Sequence, residues 1–380
     1  MEDFNKAFDY IIVGAGSAGC TLANRLTEDV SRTVLLLEAG GKDSNPWIHI
    51  PVGFVKTLDM PGLNWRFETE PEPNSKNRRI PIPRGRVLGG SSSINGMVYV
   101  RGQPLDYDTW SQLGNRGWSY ESVLPYFSKS ENYESSDEAW RGKNGELVTA
   151  EGREKAELLD VVLDAAEQCG YPKNADYNSG EQEGFGYFQV TQKNGRRWST
   201  AKAFLEPALK RPNLSLEINA HTPGILTDGG RATGVKFEQN GKTRTVTAAK
   251  GVVLCAGAVQ SPQILELSGI GNPNILRQYG IEVVHSLPGV GENYQDHYMV
   301  RQTWEIKKKI TLNEQTRGVS LIREALRYAF TRRGIMTYPA GILAGFVRTR
   351  PEIATPDVQY HIAHASFLDV KKRILDKHPG

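Results

Sequence analysis

The amino-acid sequence predicts an α/β protein built on a parallel sheet. Two short apolar runs, residues 8–13 and 33–38, show no polar alternation, which is typical of strands buried on both faces of such a sheet. Between them, Ala18, Leu22 and Leu26 recur every four residues and predict a helix. The first forty residues therefore form a strand, helix, strand pattern, which is a βαβ unit.

Later segments extend this pattern and add antiparallel structure. Residues 251–257 form another apolar run ending in glycine, as expected of a further buried parallel strand. Residues 232–238 and 243–248 alternate polar and apolar side chains around Asn240-Gly241, which predicts an antiparallel hairpin. Periodicity alone predicts two more elements, a helix over residues 155–169 and a strand over residues 357–362.

The composition is ordinary for a globular protein and excludes several classes of partner. Lys plus Arg number 46 and Asp plus Glu number 43 among 380 residues, so the net charge is +3. A charge this small does not attract a nucleic acid or a membrane surface, and we expect no nucleic-acid partner. No stretch of about 18 apolar residues occurs, so we expect no integral membrane segment. The basic cluster at residues 78–86 is interpreted as a solvated loop, with contact to a phosphate or an anionic substrate as the alternative.

The cysteines and the N-terminus are the features of the sequence that predict its cellular compartment. Cys20, Cys169 and Cys255 lack the spacing of a metal site, and we expect no metal. Such sparse cysteine usage favours a reducing compartment. The N-terminus is acidic and lacks the basic start and apolar stretch of a secretory signal. These observations predict a cytoplasmic protein.

The segment 14–19, Gly-Ala-Gly-Ser-Ala-Gly, matches the pattern G-x-G-x-x-G between a strand and a helix. Gly14 would permit the tight turn, Gly16 would let the backbone approach a pyrophosphate, and Gly19 would let the helix pack closely on the strand. Glu38 follows Gly19 at the distance expected of a carboxylate that accepts hydrogen bonds from ribose hydroxyls and repels a 2′-phosphate. The pattern predicts a dinucleotide site that disfavours NADP. It does not distinguish FAD from NAD.

Two downstream segments are rich in glycine, with serine beside it. Residues 85–96 supply many backbone N–H groups and hydroxyls with little side-chain bulk, which suits a second wall around phosphates or a planar ring. Residues 257–271 follow a buried strand, start a helix near Ser261-Pro262 and end in a glycine cap. Taken alone, each segment is equally consistent with a helix cap or a loop.

Together these segments resemble the glucose-methanol-choline (GMC) oxidoreductases, which are flavoenzymes that oxidise alcohols. Residues 85–108 resemble the first family signature, and residues 257–271 resemble the second at every constrained position. Residues 289–297 resemble a further family segment, with Tyr294 where leucine is commoner. The resemblance covers essentially the whole chain and is strongest to the choline dehydrogenase and bacterial alcohol dehydrogenase branch.

The resemblance implies that FAD is the cofactor and that several groups of residues bind it. Since family members with covalent flavin carry a histidine where this chain has Ile94, it also implies non-covalent FAD. By resemblance, the residues that would hold the ADP half are Gly14, Gly16, Gly19 and Glu38, and those that would line the pyrophosphate side are Arg86, Gly89, Gly90 and Ser91. The residues that would contact the isoalloxazine ring are Asn95, Gly96, Met97 and Val98, and the segment of His221 and Thr222 would run past the adenine. Further cofactor contacts would come from Ser17, Ala18, Ala39, Ala256 and Gly257.

The resemblance also implies a fold of two domains. The first would be an FAD-binding Rossmann-like α/β domain with a parallel sheet, formed by residues 1–155 and 213–296. The second would be an α+β substrate-binding domain with an antiparallel sheet, formed by residues 156–212 and 297–380 and incomplete in this chain.

The implied reaction is hydride transfer from a primary or secondary alcohol to the flavin, which yields an aldehyde or a ketone. Oxygen, a quinone or another acceptor would then reoxidise the flavin. Trp65, Phe67 and Tyr338 are expected to form a pocket for an apolar or aromatic alcohol, with plain core packing as the alternative. Two other functions stay open. One is a flavin lyase or decarboxylase on the same scaffold, and the other is an inactive flavin-binding fragment that a separate C-terminal part completes.

The catalytic residues are not identified in this chain. Removal of hydride from an alcohol carbon works best when a base accepts the hydroxyl proton. By resemblance, the histidine base and its partner would lie beyond Gly380, which is why we expect a C-terminally truncated family member. The sequence places no histidine in an evident acid–base pair, and we interpret as structural or surface residues His49, His221, His285, His297, His361, His364 and His378.

Overall fold

The fold is taken from a computed structural model that describes residues 2–3, 7–134, 139–369 and 374–380. The chain forms two compact units, each built from three segments of sequence. These bounds follow packing alone, and the predicted allocation of residues to cofactor and substrate binding stays a prediction. The first unit comprises Met1–Asn45, Thr57–Ile94 and Ser199–Met299, and the second comprises Pro46–Lys56, Asn95–Trp198 and Val300–Gly380.

The principal elements are numbered in chain order. Among the described residues, no helix is both long enough and apolar enough to cross a membrane. The α-helices are α1 (Ser17–Leu26), α2 (Pro104–Gln112), α3 (Tyr120–Ser130), α4 (Glu157–Gln168), α5 (Gly257–Leu267), α6 (Pro273–Gln278) and α7 (Gly318–Thr331). The strands are β1 (Phe8–Val13), β2 (Val34–Leu37), β3 (Glu131–Tyr133), β4 (Leu147–Glu151), β5 (Gly184–Tyr187), β6 (Leu214–Glu217), β7 (His221–Asp228), β8 (Arg231–Gln239), β9 (Lys242–Leu254), β10 (Leu343–Val347), β11 (Val358–Ile362) and β12 (Phe367–Asp369).

The first unit is organised around a mixed sheet with the strand order β6-β2-β1-β9-β8-β7. The pairs β6/β2, β2/β1 and β1/β9 are parallel, whereas β9/β8 and β8/β7 are antiparallel. All four residues of β2 are buried, as expected of a strand covered on both faces. The predicted βαβ unit of the first forty residues is thus confirmed, and β1 and β9 end side by side at Val13 and Leu254.

The long strand β9 joins two segments that the sequence pattern separated. Its first half pairs with β8 in the predicted hairpin, whose turn residues Asn240 and Gly241 have φ angles of 52° and 73°. Positive φ at both positions is what a tight hairpin turn requires. Its last residues, from Gly251, pair with β1 after an irregularity between Ala248 and Gly251. That irregularity is why one continuous strand carries two patterns of alternation.

The predicted helix between β1 and β2 is confirmed as α1. The residues that predicted it do not form its buried face, because Ala18 is exposed and Leu22 and Leu26 are only partly buried. A Cβ on Gly19 would lie 1.9 Å from the carbonyl oxygen of Gly14, so the helix approaches the preceding turn too closely for large side chains. The buried face consists mostly of small residues, namely Gly19, Cys20, Ala23 and Asn24.

The second unit contains an antiparallel sheet with the order β11-β10-β5. The predicted helix over 155–169 and strand over 357–362 are confirmed as α4 and β11. In the core of the second unit, Leu159 of α4 packs against Leu343 of β10 and against Ile335, Tyr338 and Ile342. With its parallel-strand sheet and separate antiparallel sheets, the chain has the mixed α/β fold that was predicted.

Candidate dinucleotide-binding site

A cavity of about 460 Å³ opens in the first unit where β1, β2 and β9 end. Strand ends of an open parallel sheet are where nucleotides bind, and the volume is in the range of small-molecule sites. The predicted residues Gly19, Arg86 and Gly89 belong to the same unit but do not line the cavity. The predicted residues that do line it are Gly14, Gly16, Ser17, Ala18, Glu38, Ala39, Gly90, Ser91, His221, Thr222, Ala256 and Gly257.

The turn between β1 and α1 has the geometry that its glycines predicted. Gly14 has a φ of +99°, and a Cβ there would lie 2.6 Å from the carbonyl oxygen of Cys255. Gly16 is the N-cap of α1 and provides no side-chain cap. The first backbone N–H groups of the helix therefore face the cavity without a capping side chain, as an anion-binding helix end requires.

The glycine-serine segment of residues 85–96 folds directly against this turn. Gly89 donates its N–H to the carbonyl oxygen of Ala15 at 2.8 Å. Gly90 has a φ of +53°, and a Cβ there would lie 2.7 Å from the Cα of Gly16. Only glycine allows the two backbones to approach this closely. The contact places Ser91 and Gly90 in the cavity wall opposite the first turn.

Glu38 lies at the end of β2 with only 6% of its surface exposed. One carboxylate oxygen accepts the N–H of Ala15 at 2.9 Å, and the other accepts the N–H of Gly40 at 2.8 Å. Burial raises the pKa of Glu38 to about 7, although these two hydrogen bonds and the charge of Arg86 act in the opposite direction. The carboxyl group is thus held rigidly in the cavity wall, where a ribose would meet it.

The raised pKa of Glu38 predicts a specific pH dependence of stability in the FAD-free protein. Because the folded pKa exceeds the unfolded value, the contribution of Glu38 to stability is full below about pH 4.5 and is lost as the pH rises through about 7. Glutamine at position 38 does not titrate. The free energy of unfolding of Glu38→Gln should therefore rise relative to that of the wild type as the pH increases from about 4.5 to 7. Urea unfolding at several pH values measures the difference.

A matched control for this prediction is Glu28→Gln, since Glu28 is half exposed in an i,i+3 pair with Arg25. Because this pair is exposed, Glu28→Gln should change the free energy of unfolding by less than about 1 kcal/mol. A Glu38→Gln difference that stays constant between about pH 4.5 and 7 would contradict the raised pKa of Glu38.

An aromatic and cationic wall borders the cavity, and the sequence predicted only part of it at this place. Trp65, Arg84 and His221 all line the cavity. The Trp65 ring lies 5.9 Å from that of His221, and the Arg86 guanidinium lies 4.8 Å from the Trp65 ring centre. Trp65 therefore borders the dinucleotide cavity. His221 was predicted beside the adenine, and the basic cluster at 78–86 pointed here through its alternative interpretation as a phosphate contact.

Two polar side-chain atoms of this region are buried without a hydrogen-bond partner among the described residues. The Thr222 hydroxyl and the Nε of Arg86 are buried, and neither forms a hydrogen bond with any described residue. Buried polar groups are nearly always paired, so such atoms are expected to meet a polar ligand. Of the two residues, Thr222 lines the cavity, and with the open helix end and the glycine cradle its hydroxyl fits a dinucleotide at this place.

The start of α5 forms a further part of the wall. The helix begins at Gly257, so the predicted start near Ser261-Pro262 is wrong, and Pro262 lies within the helix. Residues 258–261 consequently belong to its first turns and line the cavity. The sequence did contain an indication of the start at Gly257, because a glycine that follows a buried strand is a common helix start in α/β folds.

The four residues predicted at the isoalloxazine ring, Asn95, Gly96, Met97 and Val98, all belong to the second unit. Met97 is fully buried and Asn95 is exposed. Arg197, which the sequence did not single out, donates to the side chain of Asn95 at 2.7 Å. Burial lowers the pKa of Arg197 to about 9, so its guanidinium is charged at neutral pH.

Two aromatic predictions can be placed inside the second unit. Tyr338 is 6% exposed and packs in the core, which is the alternative stated for it. His364 is 1% exposed, lies 5.4 Å from the Tyr338 ring, and forms no side-chain hydrogen bond with the described residues. Burial lowers the pKa of His364 to about 4, so the ring is neutral. The catalytic base expected beyond Gly380 stays a prediction.

Comparison with known proteins decides the family. The model of the GMC oxidoreductase family matches residues 8–299. The chain belongs to the GMC oxidoreductase family. This confirms the family predicted from the glycine-serine segments, and the relatives below also confirm the predicted branch.

The GMC chain is similar to longer proteins along nearly all of its length. It is 43% identical over 376 residues to the oxygen-dependent choline dehydrogenase of Photobacterium profundum, a match that covers 98% of this chain and 66% of the relative. Among solved structures, it is similar to an FAD-dependent oxidoreductase from Chaetomium thermophilum, with a TM-score of 0.80, 29% identity and coverage of 89% and 61%. Pyridoxine 4-oxidase from Mesorbium loti gives a TM-score of 0.72, 32% identity and coverage of 74% and 55%. The chain thus spans about two thirds of the length of the curated relatives it matches.

Proposed function

We propose that this chain binds FAD and forms part of an oxidoreductase that oxidises a primary or secondary alcohol to an aldehyde or a ketone. The observation that carries the proposal is the cavity at the strand ends, whose wall combines the glycine-rich turn with Glu38 in a member of the GMC family. Bound FAD would supply a hydride acceptor for the alcohol carbon.

The residues of the first unit would hold the ADP half of the cofactor. The first-turn N–H groups of α1 and the close backbone of Gly16 and Gly90 suit the pyrophosphate, because they offer donors without side-chain bulk. Glu38 would accept hydrogen bonds from the ribose hydroxyls. The Thr222 hydroxyl would gain the partner that it lacks within the described residues.

The residues 95–98 would contact the isoalloxazine ring, and Ile94 supports non-covalent attachment, since it offers no nucleophile. The allocation of residues 1–155 and 213–296 to cofactor binding, and of 156–212 and 297–380 to the substrate, is part of the same proposal. Cytoplasmic location stays a prediction.

The substrate and the electron acceptor follow from the relatives only as candidates for testing. The relative from Photobacterium profundum is named for choline, so choline is the first alcohol to test. Oxygen, a quinone or another acceptor would accept the electrons. The relatives favour alcohol oxidation over a lyase or decarboxylase, because the names of those compared describe dehydrogenases, oxidases or oxidoreductases.

The proposal is tested by adding FAD to the purified chain and separating bound from free flavin by gel filtration. We expect one equivalent of FAD to stay bound, to be released completely by heat, and to be displaced poorly by NAD. Glu38→Ala should bind FAD at least about tenfold more weakly, which corresponds to about 1.4 kcal/mol, whereas Glu28→Ala should bind like the wild type. A wild-type chain that does not retain FAD would overturn the proposal.

Activity is tested separately with choline and a redox dye, and with oxygen consumption in a parallel assay. No histidine of this chain is assigned as the catalytic base, so we expect the chain alone to bind FAD and to reduce the dye very slowly. A longer polypeptide that carries a histidine base should reduce the dye. Conversion of a substrate without any reduction of dye or oxygen would favour the lyase.

A further inference from the structure

The turn formed by residues 95–97 has an unusual backbone in the second unit. Met97 is fully buried and has a φ of +62°, a left-handed conformation that a bulky residue seldom adopts. Such a conformation is energetically unfavourable and persists only where the surroundings impose it. The side-chain oxygen of Asn95 accepts the N–H of Met97 at 3.1 Å, which closes the turn.

A second set of contacts fixes the middle of the turn. Gly96 accepts the N–H of Ala340 at 3.1 Å. A Cβ on Gly96 would lie only 2.2 Å from the Cβ of Ala340, so the two backbones pack directly against each other. The contact with Ala340 fixes Gly96 but not Asn95. The position of Asn95 therefore depends on hydrogen bonds from another side chain.

Arg197 provides that control through a fork of donors. Its side chain is 2% exposed, and it donates to the Oδ1 of Asn95 at 2.7 Å and to the carbonyl oxygen of Asn95 at 2.7 Å. Its Nε donates to the carbonyl oxygen of Ile48 at 2.8 Å. A planar guanidinium holds three acceptors in fixed directions, whereas a lysine ammonium is a point charge on a flexible stem.

We infer that Arg197 is a positioning residue, which fixes the 95–97 turn in the conformation that presents it to the isoalloxazine ring of FAD. The inference rests on the proposed function, because only that proposal brings this turn to the ring. Without the guanidinium, the Oδ1 of Asn95 loses a charged donor and the strained Met97 backbone loses its anchor. The turn would then relax and change the surroundings of the ring, while the ADP contacts of the first unit stay intact.

The experiment compares FAD-loaded wild type, Arg197→Met and Arg197→Lys in the full chain. Arg348→Met is the matched control, since Arg348 of the same unit is 38% exposed and pairs with Glu183 on the surface. For each protein, we would measure FAD affinity, the visible absorbance and circular dichroism of the bound flavin, and its midpoint reduction potential.

We expect Arg197→Met to retain FAD within about tenfold of the wild-type affinity, or about 1.4 kcal/mol. Its flavin band and dichroism should shift because the turn relaxes, and its midpoint potential should fall because Asn95 is no longer bonded to a positive charge. Arg197→Lys should shift in the same direction by a smaller amount, and Arg348→Met should match the wild type.

A purely structural role would change stability or FAD content and leave the properties of the bound flavin unchanged. Wild-type band, dichroism and potential in both Arg197 variants would therefore overturn the inference while the proposed function stands. If Arg197→Met does not fold, the spectrum and potential of Arg197→Lys decide alone. Failure of the wild type to bind FAD would instead overturn the proposed function.

Discussion

Replacement of Arg141 by methionine is expected to lower the free energy of unfolding of the FAD-free protein by about 3–5 kcal/mol. Arg141 lies in the second unit with a fully buried side chain. Its Nη2 lies 2.6 Å from one carboxylate oxygen of Glu131, whose side chain is also fully buried. Methionine would leave the Glu131 carboxylate without its main counter-charge. Urea unfolding at neutral pH measures the loss.

The size of this effect follows from the completeness of the network around Glu131. One of its carboxylate oxygens lies 2.6 Å from Arg101, and the other accepts the hydroxyl of Thr149 at 3.0 Å. Burial on its own raises the pKa of Glu131, but the hydrogen bonds and charges of Arg141 and Arg101 outweigh it, so the pKa lies below its usual value. The stability that Glu131 provides is therefore present above its unfolded pKa and lost as the pH falls through the folded one.

The control for Arg141 is an arginine that is paired but exposed. Arg79 pairs with Glu70, and their side chains are 51% and 85% exposed. Arg79→Met should cost less than about 1 kcal/mol. If Arg141→Met cost no more than Arg79→Met, the buried network would contribute no more than a surface pair.

Gly16→Ala is expected to weaken FAD binding by about a hundredfold, or about 2.7 kcal/mol, and to leave the stability of the FAD-free protein nearly unchanged. Gly16 has extended backbone angles that alanine adopts without strain. The nearest atom to a Cβ at this position, the Cα of Gly90, lies 4.0 Å away. The methyl group therefore fits the FAD-free protein, but it would occupy the space through which the pyrophosphate approaches. Titration of FAD by flavin fluorescence, with urea unfolding beside it, checks both parts.

Gly251→Ala is the matched control for Gly16. Gly251 lies in β9 and does not line the cavity, and a Cβ added there would have no atom within 4 Å. This variant should bind FAD like the wild type. An unchanged affinity in Gly16→Ala would show that the cofactor does not approach the backbone at Gly16.

Local sequence sufficed for features that depend on neighbours in the chain. The turn of Gly14 and Gly19 and the distance to Glu38 could be predicted, because a strand, a tight turn and a helix fix their own relative positions within about thirty residues. The hairpin at Asn240-Gly241 could be predicted for the same reason, since φ is positive at both residues. The family resemblance then supplied the roles that local physics left open.

Contacts between distant segments of the chain could not be predicted from the pattern of apolar and polar residues. The buried face of α1 could not be predicted from its apolar side chains, because close approach to the Gly14 carbonyl selects small residues for that face. Trp65 was predicted for a substrate pocket and lines the dinucleotide cavity, since nothing in a loop-rich stretch of sequence shows which strand end a side chain turns toward.

The sequence by itself determined the βαβ unit, the glycine turn and the carboxylate at Glu38, because these follow from backbone geometry over short distances. Only the tertiary structure decided that Gly90 packs on Gly16, that α5 adds its first turns to the same wall, and that Arg197 holds Asn95. Those contacts join residues that lie far apart in the chain. Their energy depends on packing and desolvation that exist only once the chain has folded.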